Sequence, residues 1–368
     1  MDAIPSRVLP QKNRTTKEPY LKSVAKGGKE MKMNFRKQSA YLAGVATFVV
    51  SLFVAVELQA AGVTQITVTG AGKGANAYRA LAAVAEVVNK NSKTVQATNR
   101  ESGGFVEGTR LVAGNRVQVA MSSGPFADFW QRKLTPFERD TIPRDSLRGV
   151  GPSGDSILQI AVLKDSDIKT FMDLKGKRVN LGPKGSNSYW MIEFALKQAG
   201  ILDTVRKDSL NWNDAATYMI DHKLDAFGIP NPIGAPAILQ ASYSAPIRIL
   251  TLPDAVIQKF VDFSPGYYKD TLNPGTLYKG MENQTFTTVV YMSMLVANKD
   301  VPDDVIYEVT RHSYDPKNRD TMVNIAVGWK SGLEQAKDAK FIEIMKLCGM
   351  KLHPGAARYW KEKGFKVD

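Results

Sequence analysis

A chain of 368 residues, 43% of them hydrophobic, is long enough for two domains with cores of their own, and that composition excludes wholesale disorder. The formal charge of +13 is unevenly placed: the first 60 residues hold ten Lys/Arg and four Asp/Glu, which leaves +7 on the remainder, with no arginine-rich run or nucleic-acid motif. A single cysteine, Cys348, excludes an intramolecular disulfide and a cysteine-based metal site, and His222, His312 and His353 lack metal-ligand spacing.

In chain order, residues 1 to 30 are polar, basic and without periodicity. The run Gly27, Gly28, Lys29, Glu30 implies purine-rich codons like those of a bacterial ribosome-binding site, which favours Met31 or Met33 as the translation start. Lys32, Arg36 and Lys37 then precede an apolar run from about Ala40 to Val56, with small residues at Ala60 and Ala61. This is the order of a secretory signal peptide spanning about 31 to 60 and cleaved after Ala60. It implies a periplasmic mature protein; a membrane anchor is the competing reading, since the run is near the lower limit for a spanning helix.

The mature chain alternates strands and helices. A strand "ITVTG" leads to a helix from Asn76 to about Lys90, then come a strand at Thr94 to Asn99, a helix from about Phe105 to Ala113 and a strand at Val117 to Ser123. Such alternation predicts a mostly parallel sheet flanked by helices, with ligands at the carboxyl ends of strands. Gly124 to Ser146 reads as irregular. A long strand at Ile157 to Asp165 opens a second α/β unit, with helices from about Ser186 to Ala199, Ala215 to His222 and Ile233 to Gln240, and strands at Leu224 to Ile229 and Ile247 to Leu252. A helix "DAVIQKFVD", an irregular Tyr/Pro/Gly-rich segment, a second long strand at Thr288 to Asn298 and a helical remainder complete the chain. Two apolar crossings enclosing one α/β unit predict two lobes: 61–156 with 293–368, and 157–292. The cleft between them is the expected ligand site.

The segment "GAGKGANAY" contains G-x-G-x-x-A in strand, turn and helix context, as a dinucleotide site would. A secreted oxidoreductase is therefore one alternative. The second strand, however, ends "ATNRESGG", with Glu101 beyond the place of the ribose-binding acid. No P-loop and no nucleophile elbow is present, and "GPSGD" at Gly151 to Asp155 does not supply the latter. What repeats is a small-residue turn opening a helix: Gly72, Lys73, Gly74 and Asn76; Ser102, Gly103 and Gly104; Ser186, Asn187 and Ser188. Each would present backbone N–H groups at a positive helix end to a carboxylate or phosphate. Plain N-capping by the same residue types is the ordinary alternative. Tyr78, Phe105 and Tyr189 follow those turns and could stack on a ligand or simply pack. Ser122 and Ser123 end the third strand, and Asn231 ends a strand of the second unit.

The stretch "DLKGKRVNLGPKGSNS", Asp173 to Ser188, together with "KLHPGAARYWKEKG", Lys351 to Gly364, resembles the TAXI family, the extracytoplasmic solute-binding subunits of TRAP transporters. The resemblance implies a two-lobed type II periplasmic binding protein with two hinge strands. It also implies no catalytic residues, no metal and no cofactor. The expected function is capture of a small anionic solute, an organic acid or an acidic amino acid such as glutamate, and its delivery to an ion-gradient-driven TRAP-type permease. A periplasmic sensor for a membrane signalling partner is the other alternative. The chain departs from the family at Lys73, Asn76, Phe105 and Gly108. His353, in "LHPGAARYW", is expected at a structural corner, and Cys348 as a small buried side chain.

Overall fold

A computed structural model describes residues 62–73 and 75–367. The expected signal segment and Gly74 lie outside the described residues.

The first three strands, β1 (Thr64–Thr69), β2 (Val95–Arg100) and β3 (Val119–Ser123), are parallel and joined by helices α1 (Asn76–Asn91) and α2 (Phe105–Ala113). Helix α1 buries Ala77, Ala80, Leu81, Val84 and Val88 at helical spacing, which presents one apolar stripe to the sheet. Directly after β3 comes α3 (Gly124–Arg132). The Ser123 hydroxyl accepts from the Phe126 N–H at 3.3 Å, and Pro125 stands in the first turn. The segment expected to be irregular thus begins as a helix. Its apolar residues, Phe126, Phe129 and Trp130, occupy barely one turn and a half, too short a window to show a period.

Strand β4 (Leu147–Leu163) starts ten residues before the expected Ile157 and runs through both halves of the molecule. The second half holds β5 (Arg178–Asn180), α4 (Asn187–Gln198), β6 (Arg206–Asp208), α5 (Trp212–Ile220), β7 (Ala226–Asn231), α6 (Pro236–Ser244), β8 (Ile247–Ile249), α7 (Asp254–Phe263) and β9 (Tyr267–Leu272). Strand β9 lies in the Tyr/Pro/Gly-rich stretch expected to be irregular. It pairs antiparallel with β10 (Phe286–Asn298), which supplies the partner edge that local pattern could not reveal. Helices α8 (Asp303–Tyr314), α9 (Arg319–Ile325), α10 (Trp329–Gln335), α11 (Lys340–Leu347) and α12 (Pro354–Glu362) follow.

The sheet order is β2-β1-β3-β10-β4-β7-β5-β6, with β8 beside β4 and β9 beside β10. Parallel strands make up each end, and β4 and β10 cross between them as an antiparallel pair from Leu147 opposite Asn298 to Ile157 opposite Val290. This is the expected α/β architecture of two lobes joined by two long strands. An aromatic cluster also bridges the halves: Phe126 and Phe129 of α3 lie 5.7 and 4.8 Å from Trp190 of α4 between ring centroids, and Phe129 lies 5.0 Å from Phe263 of α7.

The C-terminal helices return to the first half, where α8 packs on α1 and α12, and α10 on β4. His353 is fully buried, and its Nδ1 accepts from the Gly355 N–H at 3.2 Å at the start of α12. It forms a structural corner. Cys348 is buried, and burial pushes its thiol up to about 12, which makes it inert as a nucleophile.

Candidate functional site

The crossing of β4 and β10 is irregular at one point. Ser293 pairs with Gly154 and the next residue, Met294, with Pro152, so Ser153 is an extra residue, a β-bulge. Gly154 has φ +104°, and a Cβ there would stand 2.4 Å from the Gly328 carbonyl oxygen. Only glycine allows both the left-handed backbone and the approach of α10. The bulge turns Ser153 into a small cavity where its hydroxyl is buried without a protein partner. Ser156 and Ser293 line the same cavity and share a hydrogen bond at 2.7 Å.

Around this floor stand the first residues of four helices: Asn76 of α1, Phe105 of α2, Asn187 of α4 and Trp212 of α5. Their positive ends converge on one place from both halves. The Trp212 indole nitrogen is buried without a partner, a donor left unsatisfied by the protein itself. The Asn187 amide donates to the Tyr291 hydroxyl at 2.5 Å, which fixes its orientation.

Two bonds tie the halves together here. The Asn76 N–H donates to Asn231 Oδ1 at 2.8 Å, and the Glu107 N–H donates to the Gly185 carbonyl at 3.1 Å. Neither helix α1 nor α2 has a side-chain cap of its own, so donors at both helix starts are satisfied from across the cleft. Asn231 is held in turn. Gln159 donates to its carbonyl at 2.7 Å, and the buried Tyr278 hydroxyl donates to Gln159 Oε1 at 2.8 Å while accepting from the Gly234 N–H at 2.8 Å.

Among the described residues one charged side chain lines the cavity, Asp155. Its Oδ1 accepts from Tyr268 at 3.0 Å and from Gln335 at 2.8 Å, and no hydrogen bond or ion pair from the described residues reaches Oδ2. Burial raises its carboxyl above the ordinary carboxylate value, against the opposing pull of those two hydrogen bonds.

The cavity is about 20 Å³, room for little more than one water-sized sphere. A larger trough of about 810 Å³, lined by Trp190, Glu193, Phe194 and Lys259 among others, lies on the surface between α4 and α7. It is open and broad and gathers none of the converging helix starts, so the small cavity is the candidate site.

The sequence profile of the NMT1-like family matches residues 68–364, nearly all of the described residues. The chain belongs to the NMT1-like family. Among solved structures it is similar to the periplasmic aliphatic sulphonate binding protein from Escherichia coli, at 18% identity over 81% of this chain and 83% of that one, TM-score 0.38. It is also similar to a putative L-cystine ABC transporter protein from Listeria monocytogenes, at 15% identity over 74% and 100%, TM-score 0.46. A probable amino-acid ABC transporter extracellular-binding protein from Bacillus subtilis matches at 14% identity over 73% and 97%, TM-score 0.42.

In this NMT1-like chain the residues singled out on sequence divide into two groups. Asn76, Phe105, Asn187 and Asn231 line the cavity. Gly72 borders it, facing the Trp212 ring, and Gly104 packs against Ser186, where a Cβ would stand 3.1 Å from the Ser186 Cβ. The others hold the walls. The Ser102 N–H donates to the Ala71 carbonyl, the Gly103 N–H to Glu107, and the Ser188 hydroxyl to the Gly228 carbonyl. Ser122 bonds Thr109, while Ser123 and Ser186 cap α3 and α4. Lys73 is 72% exposed and lies 3.3 Å from Glu101, outside the cavity. Tyr78 and Tyr189 are half-buried and do not line it.

Sequence reasoning missed Ser153, Asp155, Ser156, Trp212 and Ser293. The glycines flanking Pro152 and Ser153 inside an apolar strand were a bulge signal. Trp212, one residue after a turn, had none.

Proposed function

We propose that this chain is the extracytoplasmic solute receptor of a transport system, closing its two halves on a small carboxylate. The observation that carries this reading is the cavity itself. Four helix starts from both halves converge on it, and Ser153, whose buried hydroxyl has no protein partner, stands in its lining. Buried donors of this kind are costly unless something else accepts from them. A carboxylate does so, and helix ends favour its charge.

The signal-peptide order of residues about 31 to 60 supports a periplasmic receptor. The likeness of Asp173 to Ser188 and of Lys351 to Gly364 to TAXI subunits supports delivery to a TRAP-type permease, with no catalytic step in this chain. The test is native mass spectrometry of the purified protein for a retained small molecule, followed by thermal-shift titration with dicarboxylates, keto acids and acidic amino acids. A retained carboxylate and a saturable shift are the expected results; no ligand and no shift with any member would remove the reading.

A further inference from the structure

Resting on the closing motion of that reading, we infer that Gly328 is a positioning residue on which the two halves come to rest. Its missing side chain leaves the notch in which the Asn76 helix start meets the wall made by Asn231 and Pro232. Gly328 is buried in the turn between α9 and α10. Its backbone, at φ −57° and ψ −26°, is ordinary helical geometry open to any residue, so the demand for glycine comes from space alone. A Cβ there would stand 2.4 Å from Asn76 Nδ2 in the first half and 3.0 Å from Pro232 Cγ in the second, and both residues line the cavity. The Asn76 N–H is also bonded to Asn231 Oδ1, next to Pro232. A side chain at 328 is therefore accommodated only by swinging the Asn76 amide or by lifting the Pro232 wall away from it. Helix α10 itself has no room to retreat. The Trp329 indole donates to the Ala80 carbonyl at 3.1 Å, Ser331 Oγ accepts from the Asp155 N–H at 3.2 Å, and a Cβ at Gly332 would stand 2.6 Å from the Ser153 carbonyl carbon. Backbone lies directly on backbone at the bulge, so the C-terminal helices supply a third wall against which the two halves meet.

Gly103 and Lys184 provide the readout, since a Cβ at Gly103 would stand 3.1 Å from the Lys184 carbonyl oxygen across the cleft. In protein carrying Gly103→Cys and Lys184→Cys, without added solute, the rate of disulfide trapping by diamide reports the fraction of molecules in which the halves meet. The buried Cys348 thiol, pushed up to about 12, does not compete. Adding Gly328→Ala is expected to slow trapping roughly 5- to 150-fold, the effect of one methyl forced into a packed place, and Gly328→Val is expected to slow it further. All variants are compared where circular dichroism shows them folded. Asn76→Ala or Pro232→Ala, which remove the atoms that the new Cβ meets, should return part of the rate in Gly328→Ala and add none in the parent. General destabilisation does not produce that coupling. Equal rates with and without Gly328→Ala, or a loss that neither second change relieves, would overturn the inference and leave the receptor reading, tested by retained solute, intact. No trapping in the parent would overturn the closing motion as well.

Discussion

The backbone N–H of Asn76 and the side-chain oxygen of Asn231 meet at 2.8 Å across 155 positions of sequence. The first residue of a helix in one half is thereby capped by the last residue of a strand in the other. Parting of the two halves would leave that helix start uncapped.

Asn231→Ala is therefore expected to favour the open form by about 1 kcal/mol, the net worth of one such bond. Small-angle scattering of the ligand-free protein should show a larger radius of gyration than wild type. An unchanged profile would mean that the bond does not hold the cleft.

Gly104→Ala joins two penalties. The backbone is at φ +120°, and the new Cβ would press on Ser186 from the opposite half. A loss of order 1–3 kcal/mol in urea unfolding is expected, with solute binding weakened beyond what that loss explains.

Tyr278→Phe removes an acceptor for the half-buried Gly234 N–H and the donor to the buried Gln159. The expected cost is about 1–3 kcal/mol. Because Gln159 orients Asn231, the variant should also bind solute more weakly at temperatures where it is fully folded.

Trp212→Phe deletes the unpartnered indole N–H and also removes part of a buried ring system. The ligand-free protein should lose about 1–3 kcal/mol through the cavity left behind, and solute affinity should fall because the ring edge facing Gly72 is gone. Thermal melts with and without solute separate the two effects.

Asp155 gives a dependence on pH. Burial raises its folded-state carboxyl above the unfolded value, so the folded form binds the proton more tightly. Its favourable contribution is present at low pH and is lost as pH rises through the raised value. Asp155→Asn should accordingly melt higher than wild type at neutral pH without solute, with the difference shrinking below about pH 4. A gap that widens on acidification would contradict this sign.

Much of this was legible beforehand, and unevenly. Helices at Asn76, Phe105 and Asn187 were visible because capping turns and apolar periodicity are local. Strand β9 and the first ten residues of β4 were not, since their extended form depends on pairing with β10. At the site, small-residue turns pointed to Asn76, Phe105 and Asn187. They pointed equally to Ser186 and Ser188, whose hydroxyls serve a helix cap and a backbone carbonyl. Residue type shows what a side chain can bond; its partner is set by what packs against it.

By itself, then, the sequence determined the alternation of strands and helices, the two long crossings and the glycine turns that open helices, because each rests on contacts a few residues apart. Only the tertiary structure decided that Ser153 bulges into the cleft and that Trp212 and Asp155 line it with Asn76. Those placements depend on the register between β4 and β10 and on the closure of one half upon the other, relationships between segments more than a hundred residues apart that no local pattern encodes.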